Sequence, residues 1–175
     1  MTGRRQRPAG LVDPPGRTPG DDPLAKAKDA ALRLLAVRAR SRGELEWRLA
    51  RRGFGDEVVA AALDRLADAG LVDDAAFAAA YAEGRAARGV DARVIASELR
   101  DRGVAPELAG RATEAAAPPE AQAERCRQVA TARLAQLDGL APEVRLRRLA
   151  GYLERRGYPA EVIAPVLADL IPRRD

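Results

Sequence analysis

The sequence repeats one phrase three times, and this repetition limits the folds open to it. The three copies are LARRGFGDEVV at 49–59, LRDRGVAPELA at 99–109 and LERRGYPAEVI at 153–163. They share the pattern L-x-x-R-G-Φ-x-x-E-Φ-Φ, where Φ is mostly apolar, and their glycines are 50 and 54 residues apart. Self-similarity at such a period is typical of repeat proteins, in which each unit stacks on its neighbour.

The repeated phrase has the signature of a joint between two helices. Its glycines, Gly53, Gly103 and Gly157, can take the positive φ with which many helices end. The arginine before each glycine and the glutamate four residues after it suit a helix end and a helix start. We therefore predict that each glycine joins the second and third helices of a three-helix unit. For the arginines of the joints (Arg52, Arg102 and Arg156), capping is preferred over ligand contact.

Helix signals fill the rest of each unit, and no stretch alternates convincingly like a β-strand. In the first unit Asp22-Pro23 opens a helix, Ser41 begins a second through a capping box, and Asp56 is predicted to cap a third. The sequence thus predicts an all-α chain of three tandem three-helix repeats. Its predicted parts are a flexible, basic, Pro-rich arm (1–21), three repeats (22–70, 71–117 and 118–171) and a short tail (172–175).

The residue inventory argues against catalysis. The chain has no histidine and one cysteine, Cys126, which excludes Ser-His and Cys-His pairs, His/Cys zinc sites and internal disulfides. It also lacks the G-x-x-x-x-G-K-[ST] loop that cradles nucleotide phosphates. Asp73-Asp74 is better interpreted as a helix cap than as a metal site, and Cys126 as a buried packing residue. We expect a protein that is not an enzyme and needs no metal or cofactor.

Neither a signal peptide nor a membrane span is apparent in the sequence. The first 23 residues contain no apolar core of a signal peptide, and no run of about 18 apolar residues occurs. A single cysteine suits a reducing compartment. We expect a cytoplasmic monomer without a membrane partner.

Arginine carries almost all of the positive charge. Of the 30 basic residues 28 are arginines, and the formal net charge is +4. The planar guanidinium group matches phosphate and carboxylate through two parallel hydrogen bonds. Many of these arginines are equally well explained as solvated residues of a helix face, so spacing must select the candidates.

The candidates for contact with DNA or a nucleoprotein filament lie on helix faces, and they are Arg48, Arg51, Arg52, Arg93, Arg100, Arg145, Arg148, Tyr152 and Arg155. The last four follow i, i+3, i+7 and i+10 spacing and line one stripe. The first three cluster beside Trp47, a candidate partner contact for which packing against the first helix is the preferred interpretation. Carboxylates balance the arginines of the middle unit. The outer units therefore suit a polyanion and the middle unit a protein surface.

The segment GLVDDAAFA at Gly70 to Ala78, followed by Tyr81 and Gly89, resembles the RecX family of recombinase regulators. ALRLLAVRARSRGELEWRLARRGF, IASELRDRGV and LERRGY extend the resemblance over about 24–171. It implies an elongated, curved, all-helical repeat protein that lies in the groove of a RecA filament on single-stranded DNA. Members of the family inhibit ATP hydrolysis and strand exchange and limit filament extension, which places them in homologous recombination, DNA repair and the SOS response.

The residues themselves leave two other functions open. A free-standing helical DNA-binding protein would bind single-stranded or double-stranded DNA with an affinity that falls steeply with salt. A helical-repeat adaptor would bind an acidic protein and ignore nucleic acid. If the chain binds a filament, its repeats place several weak contacts along an arc. Contacts linked in this way bind with a much higher overall affinity than each does alone.

Overall fold

The computed structural model describes residues 22–171, and over that range the chain is all-α. The first unit comprises α1 (Pro23–Val37), α2 (Arg42–Ala50) and α3 (Asp56–Asp68), the second α4 (Asp74–Ala86), α5 (Ala92–Asp101) and α6 (Pro106–Ala116), and the third α7 (Gln122–Leu134), α8 (Pro142–Arg155) and α9 (Ala160–Leu170). The prediction of three tandem three-helix repeats is confirmed. The predicted arm (1–21) and tail (172–175) lie outside the described residues.

Side-chain capping explains where four of the helices begin. The caps of α1, α2, α4 and α5 are Asp22, Ser41, Asp73 and Asp91. In α2, for example, Ser41 Oγ accepts a hydrogen bond from the backbone N–H of Glu44 at 3.0 Å. The prediction that Asp56 caps α3 is wrong, because Gly55 occupies the cap position. Asp56 lies in the first turn instead, where the helix dipole favours a carboxylate.

The repeated phrase forms the same helix end in every unit. Gly53, Gly103 and Gly157 have φ values of 85°, 76° and 92° and lie between the second and third helices of their units. In the first joint the N–H of Phe54 bonds to the carbonyl of Leu49 at 3.4 Å. The other two joints contain the equivalent bond. This Schellman motif brings the residue after the glycine onto the leucine of the preceding turn, which explains why the phrase begins with Leu and carries an apolar residue after Gly.

Each unit has a core of its own, built mainly from aliphatic residues and alanine, with Cys126 and Tyr158 added in the third. The leucines that begin the phrase, Leu49, Leu99 and Leu153, are fully buried, one in each core. Truncating such a leucine to alanine costs about 2–5 kcal/mol, so these three positions hold their units together. Cys126 is fully buried in the third core. Burial and the nearby charge of Asp91 raise the pKa of its thiol to about 11.

Among the described helices, none combines the length and the apolar character needed to cross a bilayer.

Candidate functional site

The joint of the second unit receives the start of α2 from the first unit. Ser41 Oγ donates a hydrogen bond to the carbonyl of Arg102, 61 residues along the chain. Directly beside it, a Cβ added to Gly43 would lie 2.7 Å from Gly103 Cα. This separation is too small for any side chain at position 43, so glycine permits the two backbones to touch.

The joint of the third unit receives the start of α5 in the same manner. The Asp91 N–H donates to the carbonyl of Arg156 at 2.9 Å, and Arg93 Nη2 donates to the carbonyl of Gly157 at 2.9 Å. A Cβ on Gly157 would lie 2.3 Å from Val94 Cγ2. The repeated phrase therefore ends one helix and also forms the surface on which the preceding unit docks.

The two aspartates of the GLVDD segment have structural partners. Asp73 Oδ1 accepts from the N–H groups of Ala75 and Ala76, each at 2.9 Å. Asp74 Oδ1 accepts from the N–H of Arg42 at 2.7 Å and so ties the second unit to the start of α2. Over residues 22–171, no three carboxylate or cysteine side chains gather in a way that could hold a metal ion.

An aromatic ring and two arginines form an exposed surface on the first unit, here named the Trp47 patch (Trp47, Arg48 and Arg51). The indole is 56% exposed, and the guanidinium carbons of Arg51 and Arg48 lie 4.8 and 5.6 Å from its ring centre. Packing of Trp47 against α1 is thus a wrong prediction. The core side of α2 is occupied by Leu45 and Leu49, and Trp47 lies on the opposite side of the helix.

A related surface on the third unit is named the Tyr152 patch (Arg133, Arg148, Tyr152, Arg155 and Arg156). The guanidinium carbons of Arg156 and Arg133 lie 4.6 and 5.1 Å from the Tyr152 ring centre. Arg148 and Arg155 share its helix face and are exposed, and neither forms a hydrogen bond or ion pair with any described residue. These two side chains are available to a ligand.

Three of the candidate arginines already have partners within the chain. Arg145 lies 3.7 Å from an Asp138 carboxylate oxygen, which offsets part of its charge. Arg93 is held at the interface between units by Asp91 and the Gly157 carbonyl. Arg52 contacts the Ala30 carbonyl at 3.5 Å and lies outside the Trp47 patch.

Sequence spacing alone missed two members of the Tyr152 patch. Arg133 comes from α7, a different helix from Tyr152, so no periodicity relates the two residues. Arg156 follows Tyr152 by four residues, a spacing that places both on one helix face. This spacing indicates the contact, but the position of Arg156 at the end of α8 also suits capping, which is the role preferred for it from sequence.

In the middle unit a tyrosine and an arginine share one carboxylate. Arg85 Nη2 lies 2.5 Å from Glu98 Oε1, and the Tyr81 hydroxyl donates to the same carboxylate at 2.8 Å. Burial acts to raise the pKa of Glu98, but these hydrogen bonds outweigh it, and its pKa lies below the ordinary value. Arg102 covers the Tyr81 ring at 4.4 Å. Arg100 is exposed on the same unit without a described partner.

Comparison with known proteins gives one consistent result. Family models described as the first, second and third three-helix domains of RecX match residues 27–66, 73–112 and 120–167. A relative from Thermobifida fusca named "Regulatory protein RecX" is 43% identical over 153 residues, covering 86% of this chain and 82% of the relative. One of the same name from Mycobacterium avium is 40% identical, covering 93% and 95%. The crystal structure of RecX from Lactobacillus salivarius shares the fold, with a TM-score of 0.68 at 19% identity over 85% of this chain and 96% of that one.

Proposed function

This chain belongs to the RecX family of regulatory proteins, and from that premise we propose that it binds a RecA filament on single-stranded DNA and inhibits its activities. One observation carries the proposal. Each of the two outer units has an aromatic ring contacted by two arginines, whereas in the middle unit the Tyr81 ring is contacted by one arginine, Arg102, and its hydroxyl donates to the Glu98 carboxylate. Such a distribution suits a chain that touches phosphate at its two ends and protein in the middle.

The Trp47 patch and the Tyr152 patch have the chemistry that a nucleic acid strand requires. Guanidinium groups bind phosphate through paired N–H donors, and aromatic faces stack with bases. In the proposed function, Arg51, Arg148 and Arg155 contact phosphates, and Trp47 supplies a stacking surface. None of these groups needs a cofactor or performs a covalent step. In this proposal the protein therefore regulates by occupying its binding site on the filament.

Spacing along the chain explains why three units serve better than one. Each unit docks on the next through its joint, so the two patches are held at a fixed separation. Two weak contacts linked by such a spacer bind together far more tightly than either does alone. A bound chain therefore spans several subunits of a filament and impedes ATP hydrolysis, strand exchange and filament growth.

ATP hydrolysis by the cognate RecA on single-stranded DNA tests this proposal. The protein is titrated into the reaction at two salt concentrations, and its binding to the same DNA without RecA is measured in parallel. The proposal predicts inhibition well below one protein per RecA monomer at a salt concentration where the DNA alone is barely bound. Unchanged hydrolysis together with tight, salt-sensitive DNA binding would contradict it and indicate a free-standing DNA-binding protein.

A further inference from the structure

The docking surface that the repeated phrase provides is filled in two units and open in the first. Gly103 and Gly157 each touch the preceding unit, but a Cβ placed on Gly53 would meet no atom of residues 22–171 within 4 Å. The apolar residue after each glycine follows the same trend. Val104 and Tyr158 are 3% exposed, whereas Phe54 is only partly buried. In the second and third units the same surface is covered by the start of α2 or α5, and in the first unit it is exposed.

The opposite end of the chain carries the complementary element. In the first two units the second helix begins on the joint of the following unit, but α8 belongs to the last unit and has no described unit after it. Its start is exposed at Ala141, Pro142 and Glu143. Ala141 is the cap residue of α8, as Ser41 and Asp91 are the cap residues of α2 and α5.

Charge makes these two free ends fit each other. The open joint is basic through Arg51 and Arg52, and the groove beside it is lined by Lys26, Asp29, Ala30, Arg33, Arg52 and Phe54. The exposed start of α8 is acidic through Glu143, which forms no hydrogen bond or ion pair with any described residue, whereas the charge of Asp138 is offset by Arg145 3.7 Å away. Glu143 is two residues beyond the cap of α8, the position that Arg93 holds in α5, where its side chain reaches the Gly157 carbonyl of the joint. It would therefore lie beside Arg52.

We propose that the start of α8 in one copy of this chain docks on the Arg52–Gly53 joint of a second copy, so that chains associate head to tail. Such a contact is heterologous and continues the internal repeat from one molecule into the next. It replaces the expectation of a monomer from sequence. The association requires neither RecA nor DNA and is independent of the proposed function.

Sedimentation velocity of the full chain at increasing concentration and low salt tests this inference. Wild-type chains are expected to sediment faster as concentration rises, and salt is expected to weaken this trend, because exposed charge pairs are screened. Arg52→Glu and Glu143→Arg each remove the trend, raising the dissociation constant at least about tenfold. Arg111→Glu and Glu114→Arg are the matched controls, since both residues are exposed on α6 without a described partner. The controls are expected to behave as the wild type does.

Mixing the two variants gives a sharper outcome. Arg52→Glu retains the acidic helix start and Glu143→Arg retains the basic joint, and the two altered ends also carry opposite charges. The two variants therefore fit each other at both ends, and an equimolar mixture regains association by alternating the two chains. The double variant, carrying both changes in one chain, regains association because the charges are exchanged. Wild-type sedimentation that is independent of concentration, Arg52→Glu association equal to the wild type, or a mixture that remains monomeric would each overturn the inference. Circular dichroism of every variant shows whether it has folded.

Discussion

Gly43 lies so close to Gly103 that a Cβ on Gly43 would stand 2.7 Å from the Gly103 Cα. The two glycines come from different units, and the Ser41 hydroxyl bonds to the Arg102 carbonyl beside them. The approach therefore sets how the first unit is placed on the second. In the proposed function, this placement sets the spacing between the Trp47 patch and the Tyr152 patch.

Gly43→Ala tests the importance of this approach. The added methyl group meets backbone that cannot rotate away, so we expect the free energy of unfolding to fall by about 1–3 kcal/mol. Gly110→Ala is the matched control, because Gly110 is a helical glycine whose added Cβ meets no described atom within 4 Å. It is expected to stabilise the protein by about 0.5–1 kcal/mol. Urea unfolding measures both, and equal stabilisation by the two changes would contradict the docking geometry.

Trp47→Ala separates binding from folding. Since the indole is 56% exposed, we expect its loss to change the free energy of unfolding by less than about 0.5 kcal/mol. The concentration needed for half-inhibition of RecA ATP hydrolysis should rise about tenfold or more, as for an aromatic residue central to an interface. Leu71→Ala is the control, because Leu71 is 52% exposed and lies outside both patches. Equal inhibition by the two variants would exclude the Trp47 patch from binding.

Glu98→Gln tests the ionic network of the middle unit through pH. The pKa of Glu98 is lowered in the folded protein, so its stabilising effect is present above the unfolded value near 4.5 and is lost as pH falls through the folded value. Between pH 7 and pH 3 the wild type should therefore lose more stability than Glu98→Gln. Glu114→Gln, at an exposed site, should behave as the wild type. An identical loss in wild type and Glu98→Gln would mean that the network does not stabilise the fold.

Cys126 should react with thiol reagents only when the third unit opens. It is fully buried, and its pKa of about 11 keeps it protonated at pH 8, where the thiolate is the reactive form. We expect Ellman's reagent to label the native protein slowly and the urea-unfolded protein at once. Rapid labelling of the native protein would show that the third core is open to solvent.

The helices and the joints could be predicted from sequence because their signals are local. Gly53 ends a helix through its own φ, and Leu49 and Phe54 form the apolar pair of the Schellman motif within five residues. One error of capping, Asp56 for Gly55, is a displacement by one residue. Such displacements are common because neighbouring residues at a helix start all suit the dipole.

The docking of one unit on another could not be predicted in this way. Ser41 and Arg102 are 61 residues apart, and no pattern in either segment identifies the other as its partner. The position of Trp47 involves two signals that disagree. Its helical angle places it opposite Leu45 and Leu49, whereas the general tendency of tryptophan to be buried favours packing in the core. The periodic pattern around a residue was the better guide here than its type.

The central claim is that the outer units bind the polyanion of the filament and the middle unit does not. It is tested most directly by the salt dependence of RecA ATPase inhibition for three charge reversals, one in each unit: Arg51→Glu, Arg100→Glu and Arg148→Glu. We predict that Arg51→Glu and Arg148→Glu each raise the half-inhibitory concentration about tenfold and flatten its salt dependence, because each removes a phosphate contact. Arg100→Glu should leave the salt dependence at its wild-type value. The same change in salt dependence for all three variants would contradict the claim.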